Sequence, residues 1–212
     1  MAHDHDATAD VYNPNFDDKA ASWDDPAKRE RARLVAESIV GIVSPDRTTR
    51  LFEYGAGTGL VTEAFGGRVG PALLADSSAG MREVMATKVL DGRLRDARVT
   101  DLDLSVPDAV LPDERFDLVV TVMVLHHVLD LDLVLSRFRT LLEPTGHLCI
   151  VDLDAEDGSF HGDGFVGHHG FEREALRSRL ESVGFSDVDI TDCGHVSHDD
   201  GTFSLFLAVA RP

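Results

Sequence analysis

The stretch RLFEYGAGTGLVTEAF, Arg50 to Phe65, constrains the fold more than any other part of the chain. A short apolar run meets an acidic residue, then glycines at every second position, then apolar residues at helical spacing. A strand turning tightly into a helix reads this way. In an open α/β sheet such a turn lies at the carboxyl edge, where ligands bind. Gly55, Gly57 and Gly59 allow close approach of backbone to a ligand. Their G-x-G-x-G spacing is not the dinucleotide fingerprint, because Leu60 stands where a third glycine is needed. No Lys-Ser or Lys-Thr follows, so the turn is not a P-loop either. Glu53 would repel a phosphate and welcome an ammonium or sulfonium.

The rest of the chain repeats the strand-helix alternation. TRLFEYG, PALLADSS, DARVTDLD, FDLVVTVMV and HLCIVDLD read as strands. LVTEAFGGRV, AGMREVMATKVL, DLDLVLSRFRTLLEPTG and FEREALRSRLESVG read as helices, the third ended by Pro144 and Gly146 and the last by Gly184. An earlier helix starts at Pro26 with Asp25 as cap, and Leu34, Val35, Ser38 and Ile39 share a face. This order predicts parallel strands with crossover helices on both faces. The final pair, SDVDITDCGHV and TFSLFLAVARP, lacks room for a crossover and predicts an antiparallel edge hairpin. Residues 1–10 read as a flexible tail. Residues 11–212 read as one domain, with an N-terminal cap and helix over 11–45 and a loop over 154–171.

Two further carboxylates fall at strand ends. Asp76 closes the second strand and can accept hydrogen bonds from both hydroxyls of a ribose. Asp101 closes the third, where a carboxylate can accept from an exocyclic adenine amine. Each alone also fits a helix cap or a solvated turn. Taken in order with Glu53, they match an adenosine carrying a cationic tail.

LFEYGAGTG, LLADSSAGM, VTDLD, FDLVVTVMVLHHV and LLEPTGHLCIVD together resemble the successive motifs of class I S-adenosylmethionine-dependent methyltransferases. The resemblance runs over about residues 16–210 and implies a Rossmann-like seven-stranded sheet of order 3-2-1-4-5-7-6 with strand 7 antiparallel. It implies that Glu53, Gly55, Ala56 and Gly57 hold the methionine part of S-adenosylmethionine, and that Thr121 offers backbone to its amino group. Asp76 would bind the ribose, Ser77 and Met81 would flank the adenosine, and Asp101 with Leu102 would meet the adenine. The subtype resembles the small-molecule branch that includes quinone-biosynthesis methyltransferases. In that branch a segment like FDDKAASWDD caps the cofactor.

The acceptor side is less determined. After the fourth strand the chain reads MVLHHVLD, without the N-P-P-Y or D-P-P-Y tetrapeptide usual in methylation of base or amide nitrogens. His126 and His127 are candidate bases or acceptor contacts, since imidazole titrates near neutral pH; either also fits as a packing residue at a helix start. EDGSFHGDGFVGHHGF, 156–171, carries His161, Asp163, His168 and His169 among five glycines. These histidines could coordinate a divalent ion, but their spacing matches no metal motif, so the expectation is a loop shaping the acceptor pocket and no metal. Phe16 and Trp23 could wall the sulfonium or the acceptor, or simply anchor the first helix.

The net charge of -18, with 27 aspartates among 38 acids, repels nucleic acid and favours a small-molecule acceptor. No apolar run is long enough to span a membrane. The acidic start MAHDHDATAD lacks the basic and apolar regions of a secretory signal, so a cytoplasmic setting is expected. Cys149 and Cys193 are too few for a disulfide framework or a thiolate metal site. A rival reading keeps the fold and the cofactor but makes the chain a regulatory or partner subunit without its own activity. A nicotinamide-dependent oxidoreductase is disfavoured by Leu60. The oligomeric state is left open.

Overall fold

A computed structural model describes residues 16–162, 164–198 and 201–212. The expected tail over 1–10 and the loop aspartate Asp163 lie outside the described residues.

Seven strands form one sheet in the order β3-β2-β1-β4-β5-β7-β6. They are β1 (Leu51–Tyr54), β2 (Ala72–Ala75), β3 (Ala97–Thr100), β4 (Phe116–Val122), β5 (Leu142–Leu153), β6 (Ser186–His198) and β7 (Gly201–Arg211). The first five pair in parallel. β7 is antiparallel to both of its neighbours and forms the closing hairpin with β6. The helices are α1 (Phe16–Lys19), α2 (Pro26–Val43), α3 (Leu60–Phe65), α4 (Ala79–Leu90), α5 (Leu131–Leu141) and α6 (Arg173–Val183).

Alternation along the buried strands divides the core into two layers. Phe52, Tyr54, Leu73 and Val119 face the layer built by Val134, Leu135 and Phe138 of α5 and Leu176 and Leu180 of α6. Leu51, Leu74, Leu118 and Val120 face the opposite layer, with Val35 and Ile39 of α2, Val61 and Phe65 of α3 and Met85 of α4. Caps fix where the helices begin: Asp25 accepts from the Lys28 amide at 2.8 Å, Ser78 from Met81 at 3.1 Å and Asp130 from Leu133 at 3.0 Å. Each such cap contributes about 1 kcal/mol. Gly184 ends α6 in the left-handed region, at φ 100°.

Two local expectations are corrected. Leu34 does not join the buried face of α2; it is exposed, and Ala32 and Ala36 pack beside Val35 and Ile39 instead. Small residues there let the helix lie close to the sheet. The segment around Pro144 and Gly146 does not end α5 as a coil. α5 stops at Leu141, and the chain enters β5 at Leu142. Phe116 pairs with Leu142 and Leu118 with His147, so the extra residues are taken up as an irregularity in the ladder, where a proline is tolerated.

Candidate active site

The glycine turn joins β1 to α3 in the centre of the carboxyl edge. Gly55 has φ 66°, and a Cβ built there would lie 2.3 Å from Val124 Cγ2. Only glycine fits, because both the backbone conformation and the neighbouring strand end exclude a side chain. The Gly57 amide donates to Asp76 at 2.7 Å, which ties the turn to the end of β2. The same carboxylate accepts from the Ser78 amide at 2.9 Å. A carboxylate has about four lone-pair sites, so Asp76 retains capacity for ligand hydroxyls. Burial pushes its carboxyl above the ordinary aspartate range.

Glu53 is buried at the end of β1. Its carboxylate accepts from the Thr62 amide at 3.2 Å and from the Thr62 hydroxyl at 2.5 Å. Burial outweighs these bonds and raises the carboxyl to about 7. A buried acid poised near neutrality gains its charge when a cation arrives. At the end of β4, on the other face of the sheet from Glu53, the buried Thr121 hydroxyl has no hydrogen-bond partner among the described residues. A buried unsatisfied hydroxyl in the ligand edge calls for an explanation, and a polar ligand group supplies one.

Farther along the edge, the exposed Asp101 carboxylate pairs with Arg82 at 3.0 Å. Arg82 also donates to the Asp76 and Ser77 carbonyls at 2.9 and 2.8 Å, so it braces the ends of β2 and β3. Ser77 is exposed, whereas Met81 and Leu102 are buried. Neither Arg82 nor its bracing role is legible in the sequence pattern.

The N-terminal segment lies over this edge. Asp17 accepts from the Ser78 hydroxyl at 2.6 Å and the Gly80 amide at 2.8 Å. Asp24 accepts from the Thr58 hydroxyl at 2.5 Å. Lys88, fully buried on α4, places its ammonium 2.8 Å from both Asp24 and Glu63. Trp23 carries its indole nitrogen to the Gly57 position, 3.6 Å from where a Cβ would stand, and takes the Lys28 ammonium over its ring at 4.8 Å. Phe16 meets Trp23 edge-on at 5.8 Å and His127 at 6.0 Å, which links the segment to the histidines.

After β4 the chain passes through Met123 at φ 58° into a single 3-10 turn, Leu125–His127. His126 is buried, and its Nδ1 lies 2.6 Å from Asp152 Oδ1, a fully buried carboxylate near the end of β5. Asp152 also accepts from the His126 and Leu153 amides at 3.3 and 2.8 Å. Asp152 was not among the sequence candidates, although an acid inside the apolar run CIVDL signals it. His161 reaches the pair from the glycine loop: its ring centroid is 5.1 Å from those of both His126 and His127. Burial lowers His127 to about 3 and His161 to about 4, leaving both rings neutral at physiological pH. The other two loop histidines do not enter this group. His168 spends its Nε2 on the Val128 carbonyl at 2.9 Å and its amide on the His126 carbonyl at 2.7 Å, bracing the loop against the turn. His169 is exposed beside Glu156, at 3.3 Å.

Comparisons with known proteins give the family and agree with the fold. The profile of a methyltransferase-domain family matches residues 23–190. The biotin biosynthesis bifunctional protein BioCD of Bordetella avium is 33% identical over 159 residues, which cover 74% of this chain and 30% of that protein. The ubiquinone biosynthesis O-methyltransferase of Rhodopseudomonas palustris is 32% identical over 112 residues, 52% of this chain and 42% of its own length. The chain thus spans less than half the length of either relative. Among solved structures, the DhpI complex with S-adenosylhomocysteine superposes with a TM-score of 0.70 at 21% identity, covering 93% of both chains. A chain from the complex of the Haloferax volcanii Trm112 methyltransferase activator with a methyltransferase superposes with a TM-score of 0.75 at 15% identity, covering 94% of this chain and 98% of its own. With the family profile over most of its length and the sheet order of that fold, the chain belongs to the class I S-adenosylmethionine-dependent methyltransferases.

Proposed function

We propose that the protein transfers the methyl group of S-adenosylmethionine to a small-molecule acceptor held beside His126, His127 and His161. The observation that carries this reading is the order of groups along one sheet edge. Glu53, the glycine turn and Thr121 suit an amino-acid tail. Asp76 suits a ribose, and Asp101 with Leu102 an adenine, flanked by Ser77 and Met81. The histidine group stands next to Val124, which touches the Gly55 position where the tail would lie. Residues 11–212 would form one domain in which 11–45 caps the cofactor and 154–171 shapes the acceptor pocket, with Phe16 and Trp23 on the acceptor side and His168 bracing the loop behind it.

Displacement of a methyl group from a sulfonium needs donor and acceptor held in line and water kept out. The N-terminal segment, latched through Asp17 and Asp24, supplies the cover. His126 contributes a fixed imidazole: with the Nδ1 proton directed to Asp152, the Nε2 lone pair is turned away from the carboxylate and available on the acceptor side. His126 and His127 are the residues we assign to the reacting side. The -18 charge supports a small acceptor over a nucleic acid.

The test is product formation. Purified protein, labelled S-adenosylmethionine and a panel of phenols, hydroquinones, amines and enolisable acids should yield S-adenosylhomocysteine stoichiometric with a methylated acceptor. Cofactor binding without transfer to any acceptor, and without change in His126→Ala, would favour a regulatory or partner subunit.

A further inference from the structure

His126, His127 and His161 each offer one ring nitrogen, and the three atoms lie within 4.8 Å of one another. Two come from the turn after β4 and the third from a loop more than thirty residues later, so no sequence spacing reveals the set. The rings form a closed triangle, with centroids 4.2, 5.1 and 5.1 Å apart.

We infer that this triangle is a binding site for a divalent first-row transition ion, with Asp152 as the outer carboxylate that orients His126. Three features beyond proximity support the assignment. First, Asp152 Oδ1 takes the Nδ1 side of His126 at 2.6 Å, which leaves Nε2 as the ligand atom, and a metal-bound histidine usually has such a carboxylate behind it. Second, His161 is carried on a loop separate from the turn that holds His126 and His127, with left-handed glycines at 158 and 162, φ 94° and 74°. Nitrogens bound to one tetrahedral ion stand about 3.3 Å apart, so the triangle must contract modestly on loading. Third, aromatic rings wall the group. Phe165 stacks on His161 at 3.9 Å and meets His127 at 5.4 Å, and Phe160 lies 4.8 Å from His161. Such a wall lowers the local dielectric and holds the ligands in place.

The donor set selects the ion. Three imidazole nitrogens with no carboxylate among the direct ligands suit zinc, iron(II), cobalt or nickel, and suit magnesium and calcium poorly. Three protein ligands leave at least one open position, as in catalytic rather than structural sites. What the ion does there rests on the proposed methyl transfer. An acceptor hydroxyl binding the open position would lose its proton to water. Its oxygen lone pair would then form the new bond to the methyl carbon as the sulfur–carbon pair returns to sulfur, leaving a thioether.

The experiment uses the full chain, stripped with a chelator and titrated with cobalt(II), read by its visible ligand-field absorption and by metal content after gel filtration. The expected result is one ion per chain, displaced by zinc. Binding should be lost in His127→Ala and His161→Ala, weakened about ten- to a hundredfold in Asp152→Asn, and unchanged in His195→Ala, which alters an exposed histidine on β6. Failure of the wild type to bind one equivalent, or binding that survives both His127→Ala and His161→Ala, would overturn the proposal. Failure of the wild type to bind overturns the proposal without any variant, and Asp152→Asn reads the location of the ion if an alanine variant misfolds. S-adenosylhomocysteine titrated into the metal-free protein keeps the two readings separate: cofactor binding without cobalt binding rejects the ion alone.

Discussion

Cofactor binding should expel a proton from Glu53. In the free protein, burial holds this carboxyl at about 7, so it is roughly nine-tenths protonated at pH 6 and one-tenth at pH 8. An ammonium placed against it favours the charged form and returns the carboxyl toward its ordinary range, near 4.3. Binding at pH 6 would therefore release about 0.9 proton, and binding at pH 8 about 0.1. The apparent dissociation constant should fall about tenfold from pH 6 to pH 8, corresponding to about 1.4 kcal/mol. The assay is calorimetry with S-adenosylhomocysteine in pairs of buffers that differ in ionisation enthalpy, which counts released protons directly. Glu53→Gln keeps an acceptor for Thr62 and should abolish the pH-dependent release. The same group works against the free fold. With its folded value above the unfolded one, stability is greatest below about 4.5 and is lost as pH rises through about 7, by up to about 3 kcal/mol relative to Glu53→Gln. Proton release equal in wild type and Glu53→Gln at pH 6 would refute the placement of Glu53 beside the cofactor's amino group.

Asp76→Ala is expected to weaken S-adenosylhomocysteine binding by about 1–3 kcal/mol through lost charge-assisted bonds, and unchanged affinity by calorimetry would reject the ribose assignment. Gly55→Ala drives a methyl into Val124 and should abolish detectable cofactor binding; Val124→Ala in the same chain should restore part of it, leaving a backbone cost of about 1–2 kcal/mol. Lys88→Met leaves Asp24 and Glu63 with only the part-exposed Arg29, 3.0 and 3.9 Å away, as a shared cation, so thermal unfolding should show a loss of about 1–3 kcal/mol. Replacing all three residues with apolar ones should recover most of that loss, and a Lys88→Met protein as stable as wild type would show that the latch is not structural.

The first half of the sheet was legible because β1 to β4 are short, mostly apolar and punctuated by carboxylates. Glu53, Asp76 and Asp101 mark the ends of β1, β2 and β3, and α4 runs over the stretch AGMREVMATKVL that its pattern predicts. Pro144 and Gly146 misled for a physical reason. They are ordinary helix-stop residues, but here they occupy an irregular strand start, where pairing tolerates them. Contacts between distant residues were not legible. Lys88 looks like one more polar position on an amphipathic helix until Asp24 and Glu63 close on it. His161, His168 and His169 look alike in the sequence. Only the path of the loop sends the first to His126 and His127, the second to the Val128 carbonyl and the third to solvent.

The central claim is that the glycine turn makes room for the amino-acid tail of a sulfonium cofactor. Isothermal calorimetry with S-adenosylmethionine, S-adenosylhomocysteine and NAD(H) on the purified protein tests it most directly. Micromolar binding of the first two and none of the third is the expected result. Binding of NAD(H) without the other two, or no binding of any, would contradict it.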